Sequence, residues 1–382
     1  MAPNKSLVNS KSFPFLGKAK TIVLKIGTSI LIDSKENLIK TKWLESLVKE
    51  VVELKSHGKN IIIVSSGSIA LGKKILNLGS KELKLDESQA SAAVGQIKLA
   101  QAYEMSLNLF QANSAQILLT SEDSHDRRRY LNIRSTIKSL LRLGVIPIVN
   151  ENDTVATDEI KFGDNDRLAA QVALTSGADL LILMSDIDGL YESDPNLNPN
   201  TRHFSVINTI TPELLRMAGH AKSQDSKGGM RTKLEAAKIA MNGGCEMIIA
   251  DGSKNYPLNN CMNAGSKYTR FVPKNDVATL RKQWILSIKT RGKLFVDNGA
   301  KVALENQKSL LPAGVLDSSG NFNRGDAIEI MSIDNEKLGQ GLSAYSSAEV
   351  EVIKGCKTFE IEKKLGHPGR IALIHRDDLV LS

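Results

Sequence analysis

Val145-Ile146-Pro147-Ile148-Val149-Asn150-Glu151-Asn152-Asp153, followed ten residues on by Gly163-Asp164-Asn165-Asp166, is the stretch that decides how this chain is built. Residues 145–149 are an apolar run of strand length. The acids and amides begin where that strand would leave its sheet. In open α/β sheets, ligands bind beyond the carboxyl ends of the strands. Carboxylates and amides crowded there repel one another unless a cation neutralises them, and an ammonium group, a metal ion or a lysine would each serve. A solvated acidic turn is the bland alternative, and the rest of the chain weighs against it.

The same strand-then-helix texture extends both ways. Apolar runs at Thr21–Ile26, Asn60–Ser65, 115–119, 145–149, 180–184 and 246–250 have strand character. Helical spacing covers 42–56, 87–111, 135–142, 167–175, 212–218 and 232–241. Strands separated by helix-length connections imply βαβ units, hence an α/β fold: a three-layer αβα sandwich on a largely parallel sheet. Around residues 268–284 the texture changes. Short runs at 294–296, 328–330, 349–353 and 371–374, with turn signals at Asn298-Gly299 and Ser319-Gly320-Asn321, predict a small, mainly β domain. The expected division is a disordered basic leader over 1–19, a first domain over 20–275, a linker over 276–289 and the β domain over 290–375.

Composition excludes several classes. The 382 residues are 41% hydrophobic and 24% charged, ordinary for a globular protein of two or three domains. No run approaches the ~18 consecutive apolar residues of a membrane span, and Phe13-Pro14-Phe15-Leu16 is too short for a signal-peptide core. Cys245, Cys261 and Cys356 are isolated, with no CxxC pair, which fits a reducing cytoplasm. His125, His220 and His375 have no metal-ligand spacing. The formal net charge is +8, but residues 1–20 hold four lysines and no acid. Residues 21–275 hold 31 basic and 28 acidic side chains, and residues 276–382 hold 15 and 14. Nucleic-acid binders concentrate charge on a face, so RNA contact is not expected. Arg127-Arg128-Arg129 reads as a solvated helix start, and Trp43 and Trp284 as packing residues.

Other strand ends carry phosphate and carboxylate chemistry. The first candidate strand closes on Lys25-Ile26-Gly27-Thr28-Ser29, a lysine suited to a phosphoryl group and a glycine that lets backbone N–H groups approach. The second runs into Ser65-Ser66-Gly67-Ser68-Ile69-Ala70-Leu71-Gly72-Lys73-Lys74. This misses the Walker A pattern, because Lys74 stands where Ser or Thr belongs and Ile69 argues for helix. A Ser-Ser-Gly turn at a helix N-terminus remains, suited to a carboxylate. Leu183-Met184-Ser185-Asp186 leaves another strand. Lys227-Gly228-Gly229-Met230-Arg231-Thr232-Lys233 opens a helix with the N–H donors and cations that nucleotide phosphates need.

Together these motifs resemble the glutamate 5-kinases of the amino acid kinase family, in order and spacing, over nearly the whole chain after the leader. Val296-Asp297-Asn298-Gly299-Ala300, residues 309–314 and Gly320-Asn321-Phe322-x-Arg324-Gly325-Asp326 resemble a PUA domain. The resemblance implies ATP-dependent phosphorylation of the 5-carboxylate of L-glutamate, the first step of proline biosynthesis. By position, Lys25 and Lys233 resemble the two lysines on the transferring phosphate, and Asp166 the aspartate that holds them. Ser66, Asp153 and Asn165 match the glutamate-binding positions, with Asp153 suited to the substrate's α-ammonium. Ser185, Asp186 and the segment Lys227, Gly228, Gly229, Met230, Arg231, Thr232, Lys233 match the ATP-binding positions, Lys25 included. Mg²⁺ is expected on the ATP phosphates and water, without a dedicated set of protein ligands. Lys227 departs from the small residue usual there and is expected to face solvent. Asp164 has no assigned partner, and residues 154–162 are expected to form a lid or hairpin over the amino acid. Proline inhibition, a homodimer or homotetramer, and association with glutamyl phosphate reductase are further implications. Other amino acid kinases, for acetylglutamate or aspartate, are the nearest alternatives; an N-acetylated substrate would leave Asp153 unpaired.

Overall fold

The computed structural model describes residues 14–79, 83–120, 122–123, 126–155, 165–219, 229–263 and 265–381. They form two compact units, one reaching Val277 and the other beginning at Ala278.

In the first unit eight strands make one sheet. They are Thr21–Ile26 (β1), Asn60–Ser65 (β2), Ser114–Leu119 (β3), Ile146–Glu151 (β4), Leu180–Ser185 (β5), Val206–Ile207 (β6), Glu246–Asp251 (β7) and Tyr268–Phe271 (β8). Their order is β6-β8-β7-β5-β1-β2-β4-β3. The six strands from β7 to β3 are parallel, and β8 pairs antiparallel with β7. The chain passes from β1 to β2 on one side and later reaches β5 on the other. The connections diverge between β1 and β5, which makes the carboxyl end of that pair the switch point where such sheets take ligands.

Strand side chains alternate between faces, and this alternation sets which layer each end of β1 faces. Ile22, Leu24 and Ile26 pack with Leu44, Leu47 and Val48 of Thr41–Ser56 (α1) and with Leu99 and Tyr103 of Leu85–Asn108 (α3). The short helix between them, Ser68–Ile75 (α2), follows β2 directly. Val23 faces the other layer, with Ile137 of Arg127–Arg142 (α4), Leu168 and Val172 of Asn165–Ser176 (α5), and Leu234 and Ala237 of Met230–Asn242 (α6). Lys25 shares the Val23 face, so its ammonium is directed at the layer holding α5 and α6. It is the one charged residue in a β1 that is buried throughout.

The second unit has a five-stranded sheet of Gly292–Val296 (β9), Val315–Gly320 (β10), Ala327–Met331 (β11), Lys337–Leu342 (β12) and Leu379–Leu381 (β13), ordered β10-β9-β11-β12-β13. Leu294, Phe322, Ile328 and Ile330 lie in its own core.

Several expectations need correction. Residues 349–353 are not a strand but part of the helix Ser347–Ile353. Ser346 caps it, donating its N–H to Glu349 Oε2 at 2.7 Å and accepting at Oγ from Glu349 N–H at 3.3 Å. This capping box stood in the sequence as Ser346-x-x-Glu349. Residues 371–374 contribute one isolated bridge, Leu310 to Ile374. The segment expected as a linker is largely the helix Val277–Ser287. The leader lies outside the described residues up to Phe13; beyond it Pro14–Lys18 is a short helix with Leu16 fully buried. β8 was not expected at all. Trp43 packs as expected and donates Nε1–H to Gly252 O at 2.7 Å. Trp284 instead is 42% exposed beside the Arg281 guanidinium. Asp126 caps the helix that Arg127 opens, accepting from Arg129 N–H at 2.7 Å. His125 and His220 lie outside the described residues. No helix among the described residues is long and apolar enough to cross a membrane.

Candidate active site

The N-terminus of α5 joins the two halves of the site. Asn165 and Asp166 are consecutive, both buried, and face different partners. The Asp166 carboxylate sits between Lys25 Nζ, in close ion-pair contact with Oδ1, and Lys233 Nζ, 3.0 Å from Oδ2. Thr232 Oγ donates to the same Oδ2 at 3.3 Å. Asp166 is fully buried, and Lys25 and Lys233 are 8% and 7% exposed. Burial alone would raise the Asp166 carboxyl, but the two ammonium groups and their hydrogen bonds hold it below the usual carboxylate range. Its place in the first turn of a helix favours the anion further. One carboxylate against two ammonium groups leaves a net charge of +1 among three buried side chains.

A Cβ added at Gly27 would meet nothing closer than Met184 O at 3.6 Å and would come within 3.9 Å of Lys25 Nζ. These are ordinary contact distances, so sterics alone do not demand glycine there. Gly229 is the N-cap of α6, and a Cβ there would meet none of the described residues within 4 Å. Ser185 is buried at the end of β5 and donates to Asp186 Oδ1 at 3.2 Å, while Asp186 is exposed. Met230 is partly buried against the α5–α6 core. The Arg231 guanidinium turns to Glu235 at 3.3 Å. Lys227, Gly228 and Asp164 lie outside the described residues, as do residues 156–162 of the expected lid.

The second half is a polar network on the other side of Asn165. Asn165 Nδ2 lies 2.8 Å from Ser65 O, 2.7 Å from Ser66 Oγ and 2.8 Å from Asn150 Oδ1. Asn150 Nδ2 donates to Gln96 Oε1 at 2.8 Å and approaches Ser68 Oγ at 3.4 Å. Ser68 Oγ donates to Asp153 Oδ2 at 3.1 Å. Tyr103 OH donates to Ser65 Oγ at 2.9 Å. No cation among the described residues pairs with Asp153, and burial pushes its carboxyl up to about 6, with the Ser68 hydrogen bond opposing. Asn165 Oδ1 is buried and has no hydrogen-bond partner among the described residues. A lone carboxylate and an orphaned amide oxygen together form an acceptor set for an ammonium group.

Thus Lys25, Lys233 and Asp166 converge, and Ser66, Asp153 and Asn165 belong to one connected network. Sequence reasoning missed Ser68, Gln96 and the Asn150 link. Ser68 follows the singled-out Ser-Ser-Gly turn. Gly67 there has φ of 113°, and a Cβ would lie 2.9 Å from Ile32 Cγ1, so the turn demands glycine. Gln96 lies mid-helix and nothing local marks it.

The amino acid kinase family profile matches residues 20–251. The chain belongs to the amino acid kinase family. A PUA domain profile matches residues 292–365, over most of the second unit's sheet. The chain is 52% identical over 366 residues to a glutamate 5-kinase of Dinoroseobacter shibae, covering 96% of this chain and 99% of that one. It is equally similar, with the same coverage, to a glutamate 5-kinase of Ruegeria sp.. A glutamate 5-kinase of Sinorhizobium fredii is 50% identical over 368 residues, covering 96% and 93%. In this chain the converging lysines lie in β1 and in the first turn of α6, bridged by Asp166 in the first turn of α5.

Proposed function

We propose that this chain transfers the γ-phosphoryl group of ATP to the 5-carboxylate of L-glutamate, giving L-glutamyl 5-phosphate and ADP, the first step of proline biosynthesis. The observation that carries the proposal is the Asn165–Asp166 pair, which sets an ammonium-accepting recess beside a two-lysine phosphoryl site. The similarity to glutamate 5-kinases along nearly the full length supports the same substrate.

The chemistry needs little proton transfer. A γ-carboxylate, with an ordinary pKa of about 4.3, is already ionised at neutral pH. One of its oxygens attacks the γ-phosphorus, the bond to the β–γ bridging oxygen breaks, and ADP leaves with that electron pair. The barrier lies in bringing two anions together and in the charge spread over the transferring group. Lys25 and Lys233 answer that charge from two sides, and Asp166 keeps them aimed. Asp153 and Asn165 Oδ1 receive the α-ammonium, and the Ser66 turn receives a substrate carboxylate. Ser185, Asp186 and the 227–233 segment serve the nucleotide. Asp166 is already committed to two ammonium groups and does not fit a magnesium ligand, so Mg²⁺ belongs with the ATP phosphates and water.

The test is an ATP- and Mg²⁺-dependent hydroxamate assay with L-glutamate, N-acetylglutamate and aspartate. Glutamyl hydroxamate from L-glutamate alone is expected; trapping only with one of the other acids would sink the reading. Three free, buried cysteines fit a cytoplasmic enzyme. Proline inhibition, dimer or tetramer assembly and delivery of product to a reductase extend the reading on family resemblance alone. Kinetics with added proline and sedimentation test the first two.

A further inference from the structure

The polar network around Asn165 has a direction, and that direction is set at its two ends. Ser65 O is a backbone carbonyl and can only accept, so the Asn165 group at 2.8 Å from it must be the NH₂. Facing that NH₂, Asn150 must present its carbonyl oxygen. Its own NH₂ then points the other way and needs an acceptor, which Gln96 Oε1 supplies at 2.8 Å. The other acceptor near it among the described residues, Ser68 Oγ, lies farther off at 3.4 Å. The result is that Asn165 Oδ1 turns away from all of these groups and remains buried without a partner among the described residues.

We propose that Gln96 is a positioning residue for glutamate: by accepting from Asn150 it locks both asparagine amides, so that Asn165 Oδ1 stands ready for the substrate's α-ammonium. This rests on the glutamate reading above. Gln96 touches no substrate and acts only through Asn150. The placement of its helix supports the role. Gly95, its neighbour, lies so close to α2 that an added Cβ would be 1.8 Å from Ser68 O. The backbone carrying Gln96 is therefore registered directly against the backbone carrying Ser68. Without the Gln96 oxygen, the Asn150 amide would lose its one good acceptor. Rotating it to seek another would set NH₂ against NH₂ at Asn165, an orientation that buried amides do not tolerate.

The test uses the full chain and compares Gln96→Met, which keeps length and helix propensity but has no oxygen acceptor, with Gln96→Glu, which keeps one. Steady-state kinetics and calorimetric titration of L-glutamate are measured on all three proteins. Gln96→Met is expected to raise the glutamate KM and Kd about tenfold, the scale of one lost hydrogen bond, with the ATP KM within twofold of wild type. Gln96→Glu is expected to stay within about threefold of wild type for glutamate. Equal glutamate Kd values for Gln96→Met and wild type would overturn the proposal. So would a parallel rise in both KM values unrelieved by Gln96→Glu, since that is the mark of general loosening. A wild-type protein that neither binds nor phosphorylates glutamate would overturn the underlying reading together with the proposal, and is distinguishable because it appears before any substitution.

Discussion

Asp166 touches both Lys25 and Lys233, and it does so without exposure to solvent. Each lysine is held by geometry that predates substrate, so little reorganisation is required as charge develops. Lys25→Ala and Lys233→Ala should each lower kcat by about 10²-fold or more, measured by coupled ADP release at saturating substrate. Near-normal turnover in either variant would overturn the charge assignment. Asp153 titrates in the opposite sense from Asp166. Its carboxyl is pushed up to about 6 by burial, so the free enzyme gains the anion that meets the α-ammonium only as pH rises past that value. The expected kcat/KM for glutamate climbs through pH 6, and Asp153→Asn should flatten this limb while lowering the plateau. Stability runs the other way. A group whose folded pKa is raised favours the folded state below its unfolded value and loses that contribution as pH rises through about 6. Asp153→Asn should therefore melt higher than wild type at pH 8, by an amount that vanishes in acid. These four residues were legible in the sequence because acids and cations beside strand ends and helix starts advertise themselves. Gln96 was not, since a neutral amide in mid-helix has no signature until its partner is seen.

Among the elements, the pair α2 and α3 shows why a motif can mislead. Gly72 sits where a Walker-like glycine would, followed by Lys73 and Lys74. Its structural reason is a helix crossing: a Cβ at Gly72 would lie 1.7 Å from Ser91 O, as one at Gly95 would lie 1.8 Å from Ser68 O. Both neighbours are backbone atoms, so the helices must separate to admit a methyl group. Gly95→Ala should cost about 1–3 kcal/mol in chemical denaturation and weaken glutamate binding more than ATP binding, because α3 carries Gln96 and Tyr103. Equal losses for both substrates would argue that the crossing supports the fold alone. The parallel strands were legible from unbroken apolar runs, since both faces of such a sheet are covered. β8 was missed because Tyr268-Thr269-Arg270-Phe271 buries alternate residues only, and Arg270 is held by Glu246 at 2.7 Å. The helix at 347–353 was misread because Val350, Val352 and Ile353 have β propensity; the Ser346 cap outweighs it.

At the scale of the whole chain, two units have separate cores: no residue beyond Phe271 enters the two hydrophobic clusters of the first unit, and none before Leu294 enters that of the second. Each buries its own apolar surface, the condition for independent cooperative unfolding. Scanning calorimetry should show two transitions, and Ile330→Ala in the second core should lower one of them by about 2–5 kcal/mol in stability while the ATP- and glutamate-stabilised transition stays put. A single transition that moves as one would show that the units are thermodynamically coupled. The change of texture near residue 268, where turn density and run length alter, falls inside the first unit, since Tyr268–Phe271 joins its sheet and the unit runs on to Val277.

The charged hub also imposes an order in time. Lys233 lies 67 residues beyond Asp166, and a ribosome adding roughly 5–20 residues per second needs about 3–13 s to cover that distance. Until that stretch has been made, only one of the two ammonium groups that flank Asp166 in the folded chain exists, so the Lys25–Asp166–Lys233 arrangement cannot be completed before α6 is synthesised.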